Sequence, residues 1–177
     1  MRIISGKNKG QVFSLPKGFN SRVTTDRAKE AFFNILHSNF DFQGLKVLDL
    51  FAGSGSISFE FISRGASEVI AVEKNYHNVL AIKQAANKLK ISLKIIKGDA
   101  LKLIERFSGQ HFDIIFADPP FKAPFVNELP TLILSSGLLA EEGWFVLEHD
   151  DNHSFNGNSN CFDVRKYGGV NFSFFKT

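Results

Sequence analysis

The sequence predicts one α/β domain built on a mostly parallel sheet, and three observations predict it. From residue 45 onward, short apolar runs alternate with amphipathic helical stretches, the pattern of strand–helix–strand units covered on both faces. Four consecutive runs stop at an acidic residue or a glycine turn, where an open parallel sheet places its ligand. The 177 residues, 44% hydrophobic and 22% charged, suffice for one sizeable core and not for two domains.

At the amino end, Arg2–Ser5 and Gln11–Leu15 read as two short strands around a Gly/Lys/Asn turn. They form a basic hairpin extension over residues 1–23, broken at Pro16-Lys17-Gly18, ahead of a core at 24–177. Thr24, Thr25 or Asp26 can cap the first helix, on which Ala28, Phe32, Ile35 and Leu36 share one face. That spacing favours plain packing on the domain over a lid.

Lys46–Phe51 is an apolar strand ended by the turn Ala52-Gly53-Ser54-Gly55, and a helix at about 55–64 stops at Gly65. Glu68–Glu73 is a strand of buried type. Asn75 caps a helix carrying Val79, Ile82, Ala86 and Leu89 on one face. Ser92–Lys97 is the next strand, followed by Gly98-Asp99-Ala100 and a short helix to Phe107. Phe112–Ala117 is the fourth, stopped by Asp118-Pro119-Pro120. A helix near 125–136 leads to a fifth strand, Gly143–Glu148. Cys161–Tyr167 and Val170–Phe175 flank Gly168-Gly169, a hairpin signature that closes the sheet with an antiparallel ribbon.

Composition narrows the function classes. Cys161 is the only cysteine, so no internal disulfide and no cysteine-based zinc site can form, and a reducing cytoplasm is the expected setting. Neither an apolar leader nor a run of ~18 uncharged apolar residues is visible, so no membrane partner is expected. The net charge of +3 is unevenly placed: residues 1–30 hold seven basic residues against two acidic ones. A cationic segment on a near-neutral body suits a polyanion, and equally a solvated tail.

The strand ends carry the chemistry. The glycine turn lets backbone approach a ligand closely, but two features argue against a dinucleotide. Ser58 stands where the fingerprint wants a third glycine, and Asp49 precedes the turn, where it would repel a pyrophosphate. A carboxylate there suits a cofactor with a cationic end, and S-adenosylmethionine, with its ammonium and sulfonium, fits. Glu73 ends the second strand about twenty residues after the turn, the position of a ribose-gripping acid. Asp99 could accept from an adenine amine; before Ala100 it also reads as a helix cap.

Asp118-Pro119-Pro120-Phe121 is the most specific segment. Two prolines remove two N–H donors and stiffen the chain. An Asp side chain and a prolyl carbonyl then make a rigid pair of acceptors matched to the two hydrogens of an NH₂ group. Held so, the nitrogen lone pair is aimed out of the amide plane for in-line attack on a sulfonium methyl. Phe121 offers a face for an extruded base, a stack worth about 1–3 kcal/mol. His149 and His153 read as parts of an exposed loop, and no metal site is expected.

Five segments, in order, resemble the RsmD family of bacterial 16S rRNA (guanine-N2)-methyltransferases. They are Arg2-Ile3-Ile4-Ser5-Gly6, Thr24-Thr25-Asp26-Arg27-Ala28-Lys29-Glu30, Asp49 to Gly55, Ser63-Arg64-Gly65-Ala66 and Asp118 to Phe121. The likeness covers residues 1 to about 150. It implies a Rossmann-like class I S-adenosylmethionine-dependent fold, seven-stranded and mostly parallel, with an antiparallel C-terminal strand.

It further implies that Asp49, Phe51, Gly53 and Gly55 line the methionine end of the cofactor, Glu73 its ribose, and Asp99 with Ala100 its adenine. Asp118, Pro119, Pro120 and Phe121 hold the guanine. Arg2, Lys7, Lys9, Arg22 and Arg27 are the expected RNA-binding residues, and the substrate is 16S rRNA in the small ribosomal subunit or its assembly intermediate. A monomer is expected. The chain departs from the family pattern at Ser5, Lys9, Gln11 and Val23. Rival readings are an adenine-N6 DNA methyltransferase, which shares the Asp118 geometry, and a non-catalytic rRNA-binding assembly protein. A nicotinamide oxidoreductase is disfavoured by Asp49 and Ser58.

Overall fold

In the computed structural model, which describes residues 1–14 and 24–177, seven strands form one sheet in the order β3-β2-β1-β4-β5-β7-β6. The strands are β1 Lys46–Asp49, β2 Glu68–Glu73, β3 Lys94–Lys97, β4 Phe112–Ala117, β5 Leu139–His149, β6 Cys161–Tyr167 and β7 Val170–Phe175. Neighbours are parallel except at β7, which runs antiparallel to both β5 and β6. The order reverses between β1 and β4, and a crevice opens at such a switch point.

The helices are α1 Asp26–His37, α2 Ser56–Arg64, α3 Tyr76–Leu89, α4 Ala100–Leu103 and α5 Leu129–Ser135. Two apolar cores lie on opposite faces of the sheet. Val47, Ile114, Phe116 and Val146 point to the α1–α2–α3 side. Leu48, Ile115 and Leu147, one residue along, point to the side of α4 and α5. The period-2 geometry of a strand makes a fully covered sheet bury consecutive residues in this way.

Thr25 caps α1, its Oγ1 accepting from Ala28 N at 3.2 Å. The helix buries Ala28, Phe32, Phe33 and Leu36, so it packs on the domain as its spacing implies. Phe32 stacks on Phe172, with centroids 5.1 Å apart and planes at 14°. Each buried Phe contributes about 1.5–3 kcal/mol by leaving water.

Several element boundaries differ from the sequence reading, and β1 ends at Asp49 rather than at Phe51. The amino-terminal hairpin reverses the chain, but its two expected strands reduce to one bridge, Arg2 with Val12, made by Ile3 N to Gln11 O and Phe13 N to Met1 O and continued by Gly10 N to Ile3 O; the second strand's end, Leu15, lies outside the described residues. β3 begins at Lys94 rather than Ser92. The stretch near 125–136 divides into a 3₁₀ turn, Val126–Glu128, and α5, whose first turn holds Pro130, a residue without an N–H to donate. β5 starts at Leu139, earlier than expected, because its register shifts between Phe112 and Ile114 and accommodates Glu142 at φ 61°.

The basic hairpin is fastened to the body. Ile3 and Phe13 are buried, and Phe13 meets Phe59 edge-on at 4.9 Å. Fully buried Glu60 accepts from Ile4 N at 2.8 Å, Ser5 N at 2.9 Å and Arg64 Nε at 3.0 Å, with Lys29 Nζ at 3.6 Å. A Cβ on Gly6 would sit 1.8 Å from Ser63 O, so only glycine allows this approach. Lys29, read as part of a cationic surface, is buried completely; its ammonium bonds Arg2 O at 2.7 Å and Ser56 Oγ at 3.0 Å. Burial pushes its pKa down, and Glu60 partly offsets this. Among the described residues, no helix is long and apolar enough to cross a membrane.

Candidate active site at the sheet switch point

A cleft of about 600 Å³ opens at the carboxyl ends of β1, β2, β3 and β4. Its walls include Asp49, Phe51, Gly53, Glu73, Asp99, Ala100 and Asp118 to Phe121, so residues far apart in the chain converge. Gly55 is the exception among the residues expected around the cofactor. It sits behind the turn at φ 78°, buried, where an added Cβ would press on Phe59 and Ile82 at 3.0–3.3 Å. Its role is to start α2 and to pack, which corrects the sequence expectation of a wall residue.

Asp49 is 1% exposed and lies at the floor of the cleft. Ser58 Oγ donates to its Oδ2 at 2.6 Å, while Oδ1 is buried without a hydrogen-bond partner. Burial raises its pKa from 3.8 to about 7, against the pull of the Ser58 hydrogen bond. Ser58, read from sequence as a missing glycine, therefore orients this acid. A buried carboxylate oxygen facing a cleft is a receptor for a donor or a cation.

Glu73 holds the glycine turn in place. Its Oε2 accepts from Gly53 N at 2.8 Å and its Oε1 from Asn75 N at 2.6 Å. Each oxygen keeps a second lone pair for a ligand. Asp99 caps α4 through Leu101 N at 3.2 Å and pairs with Lys74 Nζ at 2.9 Å. The Lys74 hydrogen bond holds its carboxyl below the usual range. The cap and the wall position coexist in this residue.

Asp118-Pro119-Pro120-Phe121 leaves β4 directly into the cleft. Pro120 O accepts from Ala123 N at 2.8 Å, which bends the segment, and Pro119 and Pro120 both line the cleft. His153 Nε2 lies 2.9 Å from Phe121 O, and its Nδ1 2.8 Å from Asn127 Oδ1. The two histidines therefore do not belong to a solvated loop, and the sequence expectation is corrected. His149 is 2% exposed and bonds Ser173 Oγ at 2.8 Å, while His153 fastens the Asp-Pro-Pro-Phe bend from outside. Phe125 stacks on Phe51 at 6.1 Å and 13°, adding a second aromatic wall that sequence reasoning missed.

Thr24 also lines the cleft, and its hydroxyl donates to Glu148 Oε2 at 2.9 Å. Glu148 is fully buried. Of the expected RNA-binding residues, Lys7, Lys9 and Arg27 are exposed. Arg2 is also exposed and pairs with Asp26 at 3.2 Å. Arg22 lies outside the described residues. Among the described residues, no group of three or more His, Cys, Asp or Glu side chains could hold a metal ion.

The chain matches the family described as conserved hypothetical protein 95 over residues 1–176. It is 36% identical over 154 residues to YlbH of Bacillus subtilis, a protein named as a candidate rRNA methyltransferase, spanning 85% of this chain and 83% of that one. It is 30% identical over 151 residues to ribosomal RNA small subunit methyltransferase D of Escherichia coli K12, covering 85% and 75% of the two chains. A solved structure from Thermus thermophilus, hypothetical protein TTHA0928, superposes with a TM-score of 0.89 at 25% identity over 100% of this chain and 99% of that one.

Proposed function

The chain belongs to the conserved hypothetical protein 95 family, the RsmD family, and on that premise we propose that it transfers the methyl group of S-adenosylmethionine to the exocyclic N2 amine of a guanine in 16S rRNA. One observation carries the reading. A buried acid, one of whose oxygens lacks a hydrogen-bond partner, shares one cleft with an Asp-Pro-Pro-Phe bend whose two prolines carry no N–H.

The residues present fit the cofactor. Asp49 Oδ1 offers an orphaned acceptor for the methionine ammonium, and Gly53 leaves its backbone open to close approach. Glu73 takes the ribose hydroxyls on its remaining lone pairs, and Asp99 with the turn at Ala100 takes the adenine. Phe51 walls the same end. When bound, the cofactor supplies an electrophilic methyl on its sulfonium.

On the acceptor side, Asp118 and Pro119 O accept the two hydrogens of the guanine amine. This holds the nitrogen lone pair out of conjugation and along the line of attack. Phe121 and Phe125 stack the extruded base and keep water from the nitrogen. Positioning of this kind can supply about 7–11 kcal/mol of a barrier without metal or covalent enzyme intermediate. After transfer, the extra proton on nitrogen passes to water or to an Asp118 carboxylate oxygen.

Arg2, Lys7, Lys9, Arg22 and Arg27 bind rRNA phosphates, and the substrate is the small ribosomal subunit or its assembly intermediate, met by a monomer in the cytoplasm. Folding and catalysis reside in one domain over residues 1–177. The test is incubation with labelled S-adenosylmethionine and hypomethylated small subunits, then mapping of the modified base. Label at a guanine N2 of 16S rRNA supports the reading. Label on adenine, on DNA only, or on nothing overturns it.

A further inference from the structure

We infer that the Thr24 hydroxyl reads the Watson–Crick edge of the flipped base and selects guanine, because its own proton is committed to Glu148 and it can only accept. The inference rests on the guanine-N2 reading above. Asp118 and its prolines recognise an amine and nothing more, so the choice of purine needs another group.

The sheet register supplies one. Ala117 on β4 lies opposite Leu147 on β5, so the residues that follow, Asp118 just past β4 and Glu148 still on β5, lie side by side. Phe116 and Val146, two positions earlier, both belong to the core under α1. The pleat therefore puts positions 118 and 148 on that same face. Thr24, just ahead of the α1 cap, reaches down to Glu148 from above, at 6% exposure and 2.9 Å. It forms part of the cleft wall together with Asp118 and Pro119.

A hydroxyl has one proton and two lone pairs. With the proton held by a buried carboxylate, only lone pairs are left for the cleft. Guanine carries N1–H beside its N2 amine, so a base held by Asp118 and Pro119 brings a second donor along the same edge. A purine with an amine at C2 but no proton on N1, such as 2,6-diaminopurine, brings a lone pair instead. Lone pair facing lone pair leaves a buried acceptor unsatisfied, and mismatches of that kind discriminate strongly. Glu148 acts through Thr24 and is a positioning residue.

The experiment compares wild type with Thr24→Val on small subunits rebuilt around 16S rRNA with guanine or 2,6-diaminopurine ligated in at the mapped target. Wild type is expected to favour guanine in kcat/KM by about 10-fold or more. Thr24→Val is expected to lower transfer to guanine by about 10-fold and to leave 2,6-diaminopurine within about 2-fold, so the preference collapses. Thr24→Ser, which keeps the hydroxyl, restores it. Should Thr24→Val not fold, Glu148→Gln is read in its place, since an amide can donate to Thr24 and release the hydroxyl proton into the cleft; the preference again narrows. An equal loss on both bases, or an unchanged ratio, overturns the assignment. No transfer to guanine by the wild type would instead sink the guanine-N2 reading, and this inference with it.

Discussion

The two ends of the cleft are built differently. The donor end comes from one stretch of chain, Asp49 to Ala100, in which the ends of β1, β2 and β3 each contribute two or more residues. The acceptor end is gathered from four separate places: Thr24, residues 118–125, Glu148 and His153. The first needs only β1, β2 and β3 paired in order, with Glu73 holding the glycine turn. The second exists only when β4 and β5 are in register, α1 lies across them and the 150–160 loop has folded back. The donor end should therefore survive changes that dismantle the acceptor end, and the two should fail separately.

The sharpest separation is expected from Asp118→Ala. It removes one of the two amine acceptors and touches nothing at Asp49 or Glu73. Turnover should fall by about 10²–10³-fold, the scale seen when one oriented polar group is removed from a reacting site. Cofactor affinity, measured by calorimetry, should change by less than about 2-fold. Parallel loss of both would erase the distinction between the two ends.

Asp49→Asn is the converse. It should weaken cofactor binding by about 10-fold or more, since the ammonium loses its charged partner. It should also change stability with a definite sign. The folded protein keeps a proton on Asp49 up to about 7, whereas the unfolded chain loses it near 3.8. Stability is therefore intact below 3.8, drains away as pH rises to about 7, and stays lower above it. Asn carries no such charge, so at a pH of about 8 the variant should resist urea better by about 1–3 kcal/mol, with a flatter pH profile. A variant less stable than wild type under those conditions would show that the buried carboxylate is not desolvated.

A smaller effect is expected at His153, which acts on the acceptor end from outside. His153→Ala should lower kcat about 3- to 10-fold, the worth of roughly one hydrogen bond, with cofactor affinity unmoved. His153→Gln can still donate to Phe121 O and should recover most of the loss. Equal kcat in the two variants would mean that the bend holds its own shape.

The mildest change is expected from Lys7→Ala with Lys9→Ala, which lies outside both ends. RNA affinity should drop a few-fold. The slope of log affinity against log salt should flatten by about 0.7–0.9 for each phosphate that is no longer neutralised. Cofactor affinity should not move, and an unchanged salt slope would remove the hairpin from the RNA interface.

Legibility in the sequence follows the same division. The convergence of Asp49, Gly53, Glu73, Asp99 and residues 118–121 on one cleft was readable because each sits at the end of an apolar run, and the parallel-sheet rule puts all such ends on one edge. Gly55 misled, since a glycine needed for a positive φ and for close packing looks the same as one needed for a ligand. Lys29 misled because its partner, Glu60, lies on another helix. His153 looked solvated among Asp, Asn and Ser neighbours, and only the fold-back onto Phe121 O draws it in.

By itself the sequence determined the alternation of strands and helices and the residue types that stand at each strand end, because these depend on neighbours within a turn or two of chain. Only the tertiary structure decided which polar groups lost their water and to whom they then bonded: Ser58 to Asp49, Lys29 to Glu60, Thr24 to Glu148. Burial makes such pairings obligatory, and burial is a property of the assembled sheet and helices, not of any one segment.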